Sequence, residues 1–231
     1  MAAVENHLIE LLPRAVRSRL LAACETVELT LSQVLTEPGE TTRHIYFPLD
    51  GFISMVVMLK GSPGVEVGMV GREGMLGAQI ALGVLTSPLR AVVQGPGAAR
   101  RISTRAFQRE LKASAALQQW LQRYLYVLMA QQVSSAACLR FHLTRQRLAR
   151  WLLMSQDRSH SSNFHVTHEF LAYMLGMRRV GITTAARELQ RDGLIDYHRG
   201  NLTVLDRPGL EAAACSCYGS DRQIYAEQLS G

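Results

Sequence analysis

The spacing of apolar positions along this 231-residue chain changes twice. The first stretch, LIELLPRAVRSRLL, places its leucines as a short helix within residues 6–23. From residue 26 to 104 the apolar runs shorten to strand length: VELTLSQVL, HIYFPLDGFISMVVML and VEVGMVGREGMLG, separated by EPGE and KGSPG. Short strands punctuated by Gly and Pro predict an antiparallel barrel or jelly roll. After Ile102 the texture turns helical. STRAFQRELKASAALQQWLQRYLYVLMAQQVSSAACLRF holds no Gly or Pro, and Leu117, Leu121, Tyr124 and Leu128 recur at intervals of three and four. A helix this long outgrows a small domain's core, so this stripe is expected to mediate dimerisation. A spacer helix lying on the barrel is the alternative.

The C-terminal third continues with a helix (LTRQRLARWLLMSQ), a polar loop (DRSHSSN), the short apolar run FHV, and a pair of helical patterns. Thr167 stands where an N-cap belongs, and Glu169 in the first turn suits the positive end of the helix dipole. Leu171, Met174 and Leu175 form the buried stripe of the first helix. Gly176 follows, where the left-handed conformation closing a helix costs glycine little. Ile182, Ala186 and Leu189 then give a second helix its inward face. Its outward face holds Val180, Thr184, Arg187 and Arg191, with Thr183 beside it and Arg179 on the first turn. Two helices joined by a short Gly-containing turn predict a helix-turn-helix, whose second helix reads the major groove. GLIDYHRGNLTVLD reads as two short strands around Arg199-Gly200-Asn201.

Charge reinforces this picture. The net charge is +6, and Lys60 and Lys112 are the only lysines, so the basic character is almost wholly arginine. Guanidinium forms planar bidentate contacts with phosphates and base edges, although an arginine-rich codon bias would raise the same count. Between residues 140 and 200 there are ten Arg, no Lys, five Asp or Glu, and five of the seven histidines. A basic C-terminal third suggests a polyanion partner.

Other chemistry is thinner. Cys24, Cys138, Cys215 and Cys217 are too scattered for a disulfide scaffold, and Cys215-Ser216-Cys217 reads as a pair of reduced thiols on a tail. Glu5, Glu10 and Pro13 interrupt any signal-peptide core, and the longest apolar run, FISMVVML, has strand length. The expected setting is a reduced cytoplasm with no membrane contact. His44 is the single histidine of the barrel, so no His-x-His metal cluster is expected there. His168-Glu169 lacks a second zincin histidine, because Ala172 occupies that position. Without a nucleophile elbow or P-loop either, the sequence points away from an enzyme.

The order of barrel, long helix, helix-turn-helix and hairpin resembles the Crp/Fnr transcription regulators. VTHEFLAYMLGMRRVGITTAARELQRDGLIDYHRGNLTVLD is similar to their winged-helix segment, and HIYFPLDGFIS to their barrel signature. The resemblance covers about residues 8–213 and implies an α+β chain. Its expected parts are an antiparallel β jelly-roll effector barrel (1–110), a dimerisation helix (111–138), a winged helix-turn-helix (139–213) and a C-terminal tail (214–231). It further implies a homodimer on pseudo-palindromic double-stranded DNA, with RNA polymerase as a further partner. The competing reading is a sensor module that binds a small molecule and docks onto protein without DNA.

Carried over by position, the resemblance makes Arg179 the leading base contact. Val180 stands where glutamate is common and can touch only apolar groups such as a thymine methyl. Thr184 replaces a second base-reading arginine, so the preferred half-site should differ from the best-known one. Arg178 replaces a capping serine, and Thr167, His168, Arg178, His198 and Arg199 are candidate phosphate contacts. In the barrel, Glu73, Gly74 and Arg90 fall near the residues that hold a cyclic nucleotide in some members, where oriented backbone amides and one fixed cation receive the phosphate. Here the usual Gly-Glu pair reads Arg72-Glu73, and no small hydroxyl residue follows Arg90. These departures argue against a cyclic nucleotide and leave another small effector, or none, open. Arg90 would then pair with Glu73 or brace the barrel.

Overall fold

The computed structural model describes residues 5–60 and 64–229, so most of the expected KGSPG turn lies outside the described residues. Two short helices, α1 (His7–Glu10) and α2 (Arg14–Ala22), precede the strands. The expected single helix is broken because Pro13 stands at the N-cap of α2 with an extended backbone, leaving α1 a single turn capped by Asn6.

Seven strands follow: β1 (Glu25–Leu29), β2 (Val34–Thr36), β3 (His44–Pro48), β4 (Phe52–Val57), β5 (Val65–Val70), β6 (Leu89–Gly95) and β7 (Gly97–Ser103). They form two antiparallel sheets, ordered β1-β7-β3 and β2-β6-β4-β5. Alternation along β3 shows how the barrel is filled. Tyr46 points inward among Leu29, Ile53, Val70 and Val93, whereas Ile45 and Phe47 point outward under a helical layer. A one-residue slip would exchange these faces, which pins the register Ile45↔Ile102.

The helical run after Ile102 is two helices, α3 (Thr104–Ala113) and α4 (Ala115–Phe141). Neither Gly nor Pro makes the break. Ser114 adopts an extended backbone and its hydroxyl accepts from the Leu117 amide at 3.2 Å, so an N-cap serine starts a new helix. The expected dimer stripe is also reassigned. Leu117, Leu121 and Tyr124 are 2%, 1% and 3% exposed, packed with Phe47, Met75 and Phe107 of the chain's own core, and Leu128 is half-buried against it. A periodic stripe cannot tell its own barrel from a second copy. Apolar side chains left in solvent include Tyr126, Met129 (67%) and Val133 (73%), one face over, with Leu139 and Phe141 exposed near the end of α4.

The C-terminal part comprises α5 (Thr144–Ser159), β8 (Asn163–His165), α6 (His168–Leu175), α7 (Arg179–Arg191), β9 (Ile195–His198), β10 (Asn201–Val204), α8 (Arg207–Ala213) and α9 (Cys217–Leu229). Leu148, Leu152, Leu171, Ile182, Ala186, Leu189 and Leu202 share one core, which also takes in Phe52 and Met69 from the barrel. The residues expected to trail as a tail instead form α9, which lies along α4 and returns to the barrel. Leu229 is fully buried there, and the Tyr225 hydroxyl donates to the Glu73 carbonyl at 2.6 Å. No helix among the described residues is long and apolar enough to cross a membrane.

Candidate nucleic-acid interface

Helix α6 begins where its sequence places a cap: the Thr167 hydroxyl accepts from the Phe170 amide at 3.1 Å. It ends at Gly176, whose φ of +60° is the left-handed conformation that turns the chain. An added Cβ at Gly176 would also lie 3.0 Å from Val65 of the barrel, so two constraints select glycine. The turn is held from beneath by Arg147 of α5, a residue the sequence did not single out. Its buried guanidinium donates to the Leu175 carbonyl and to the Met177 sulfur. The Leu175 carbonyl at the end of α6 is thereby satisfied by a cation, which also suits the negative end of the helix dipole.

The recognition helix α7 rests on Ile182, Ala185, Ala186 and Leu189, all buried. Its N-terminus has no side-chain cap, because Arg178 occupies the N-cap with an extended backbone. Arg178, Arg179, Val180, Thr184 and Arg187 are exposed, Val180 at 71%. The Thr184 hydroxyl donates to the Val180 carbonyl at 3.1 Å. None of Arg178, Arg179, Arg187 or Arg199 has a carboxylate within 4.0 Å among the described residues. Arg191, by contrast, faces Asp192 at 3.4 Å. The helix therefore presents positive charge at its N-terminal end, uncompensated among the described residues, beside the short side chains of Val180 and Thr184 that permit a close approach.

Two candidates point inward. Thr183 donates to the Arg179 carbonyl at 3.0 Å, and its hydroxyl lies 3.0 Å from His168 Nδ1. The His168 ring stands edge-on to Tyr197 at 4.8 Å, and the Tyr197 hydroxyl donates to the Val166 carbonyl at 2.6 Å. Burial, with the charges of Arg179 and Arg187, pushes the His168 pKa down, so the ring is neutral near pH 7. His168 thus bridges α6, α7 and β9.

The wing is the sheet β8-β10-β9, with His198 opposite Asn201. The FHV run supplies its third strand. The two-residue loop Arg199-Gly200 has φ of +49° and +86°, the pattern of the hairpin turns that match strand twist. Glycine takes such angles freely; arginine does not. His198 and Arg199 are exposed at the tip. Arg199→Gly is expected to stabilise the chain by up to about 1 kcal/mol in chemical denaturation. The same change should weaken duplex binding and flatten its salt dependence.

The barrel candidates do not converge. Arg90 pairs with Glu37 at 3.0 Å, not with Glu73, which instead meets Arg158 of α5 at 2.7 Å and links the barrel to the C-terminal domain. Gly74 lies beneath Tyr124, whose hydroxyl would be 2.2 Å from an added Cβ. The barrel does enclose a cavity of about 240 Å³, lined in part by Thr36, Thr42, Met75, Gln79, Leu128 and Gln132. Among the described residues its lining holds no charged side chain, so these residues do not fit the phosphate of a cyclic nucleotide.

The comparisons with known proteins bear on this geometry. Residues 146–213 match the family model described as a Crp-like helix-turn-helix domain. A Crp/Fnr-family protein from Eubacterium rectale superposes with a TM-score of 0.71 at 17% identity, covering 90% of this chain and 99% of that one. FixK2 of Bradyrhizobium japonicum gives 0.70 at 11% identity, covering 83% and 98%. A CRP-family transcriptional regulator from Thermus thermophilus gives 0.66 at 20%, covering 81% and 96%. The chain has the Crp/Fnr fold, with a Crp-like helix-turn-helix domain. No curated protein matches in sequence. The Crp-like domain contains Arg147, Thr167 to Arg187, and the whole wing, so the exposed arginines and the buried one that supports them belong to one unit. The matched segment stops at Ala213, immediately before Cys215, Cys217 and α9.

Proposed function

We propose that this chain is a sequence-specific, DNA-binding transcription regulator of the Crp/Fnr type that works as a homodimer. The observation that carries this reading is the outer face of α7, where Arg178, Arg179 and Arg187 stand without carboxylate partners among the described residues, around Val180 and Thr184. Arg179 reads a base edge, Val180 packs on a thymine methyl, and Thr184 makes a short polar contact. Arg178, Arg199, His198 and Thr167 contact phosphates and fix register. Thr183 and His168 hold α7 against the wing.

The homodimer pairs through the exposed face of α4 around Tyr126, Met129 and Val133, setting the two recognition helices about 34–36 Å apart to read a pseudo-palindrome. RNA polymerase is the further partner at promoters. Selection of bound sequences from a random duplex library tests partner, symmetry and half-site together, and recovery of no enriched motif would overturn the reading. Affinity should fall steeply with salt as condensed counterions are released.

An effector of the barrel cavity would be small and uncharged, held by Thr36, Thr42 and Gln79. Cyclic AMP and cyclic GMP are accordingly expected to leave the melting temperature unchanged, because a ligand stabilises only a state that binds it.

A further inference from the structure

Four side chains that the DNA-binding reading does not use meet at the junction of α4, α5 and α9. Cys138 and His142 are four residues apart and share one face at the end of α4. Cys215 and Cys217 flank Ser216 where the chain enters α9. The Sγ atoms of Cys138 and Cys215 are 3.5 Å apart, and Cys217 Sγ is 3.6 Å from His142 Nδ1. All four potential ligand atoms lie within 4.8 Å of one another. The three cysteines are buried free thiols that form an apolar cluster of their own. Thiols are weak hydrogen-bonding groups and gain little from each other in such a position.

We propose that Cys138, His142, Cys215 and Cys217 bind one zinc-class divalent cation in a four-coordinate site that clamps α9 to the hinge before the DNA-binding domain. The donor set decides the class. Three sulfurs and one imidazole suit a borderline-soft cation, whereas calcium and magnesium require oxygen. Spacing decides nuclearity. In a tetrahedral zinc site with Zn–S bonds of about 2.3 Å, sulfurs stand about 3.8 Å apart, close to the observed separations. A four-iron cluster would place its ligands on separate irons and needs a wider opening. With four protein ligands no position remains for substrate, so the site is structural.

Binding displaces three thiol protons and leaves a centre of net charge −1. The surroundings suit that charge. Cys138, Arg147 and Arg150 line one pocket, which places two guanidinium groups beside the site. Arg150 is itself held by Asp221 of α9 at 2.5 Å. The clamp thus joins His142, the C-cap of α4 just ahead of α5, to a helix anchored in the barrel.

The test uses the full chain, purified under reducing conditions. Elemental analysis should find about one zinc per chain. Cobalt(II) added to the metal-stripped protein should produce the visible absorption of tetrahedral, thiolate-bound cobalt, which zinc then displaces. Cys138→Ser and Cys215→Ser should each abolish this absorption, while Cys24→Ser, remote from the cluster, should retain it. Stripping zinc should speed amide exchange in α9 and across residues 138–146. The cobalt titration of the unaltered chain needs no variant to fold. No zinc and no cobalt absorption would overturn the site, as would an iron–sulfur spectrum or a Cys138–Cys215 disulfide in freshly isolated protein. Unchanged exchange on zinc removal would overturn the clamp.

Discussion

Arg179→Ala is expected to lower affinity for the selected duplex roughly 10- to 100-fold, because a bidentate arginine–guanine pair contributes about 1–3 kcal/mol of discrimination. Arg179 suits this test. Its side chain is exposed on the first turn of α7 and has no ion-pair partner among the described residues. Removing it breaks no contact that holds the domain together, so melting temperature should stay within about 1 °C. The loss should be specific: affinity for scrambled duplex should fall far less, since that binding comes from phosphate neutralisation shared among several arginines. Fluorescence anisotropy with both duplexes separates these outcomes. Equal loss on both would mean that Arg179 contacts only the backbone, and no loss on either would remove α7 from the interface.

A half-buried carboxylate between the domains is expected to make stability depend on pH. Glu66 of β5 accepts hydrogen bonds from Ser54 of the barrel and, at 3.0 Å, from Trp151 of α5. Burial raises its pKa from near 4.5 to about 7, against the opposing pull of those hydrogen bonds and of the Arg158 and Arg150 charges. The sign follows from linkage. The folded state holds this proton more tightly than the unfolded chain, so stability is greatest at low pH with respect to this group. It declines between about pH 4.5 and 7 and is flat above. The full difference is at most about 3 kcal/mol. Glu66→Gln keeps an acceptor for Trp151 and can donate to Ser54, so it should melt higher than the natural chain at pH 8. Melting curves from pH 5 to 8.5 should show a smaller slope for Glu66→Gln. Parallel slopes would mean that Glu66 is ionised throughout.

The helix-turn-helix was legible because its signals are local. Thr167, Gly176 and the spacing of Ile182, Ala186 and Leu189 each fix one short-range feature, and a few residues suffice to state them. Long-range partners were not. Leu117, Leu121 and Tyr124 carry a clear period, but periodicity says only that a face is buried, and the barrel rather than a second copy buries it. Arg147 resembles any other arginine on a basic helix until the carbonyl of Leu175 is placed beside it. Glu73 and Arg90 were near each other in expectation and apart in fact, since each found a partner from another element. Cys215 and Cys217 read as a loose thiol pair because their counterparts, Cys138 and His142, lie some seventy-five residues upstream. Only the return path of α9 brings them together.

That return path limits how freely the protein can be cut and recombined. Arg207 contacts Asp157 and Tyr218, Asp221 holds Arg150, and Leu229 is buried in the same core as Leu8 and Leu20. A chimera spliced after Phe141 would therefore separate a barrel from the closing helix it needs and give that helix to a foreign host. Exchange of reading heads between relatives has to carry α9 and its seat together, or graft only the exposed positions of α7.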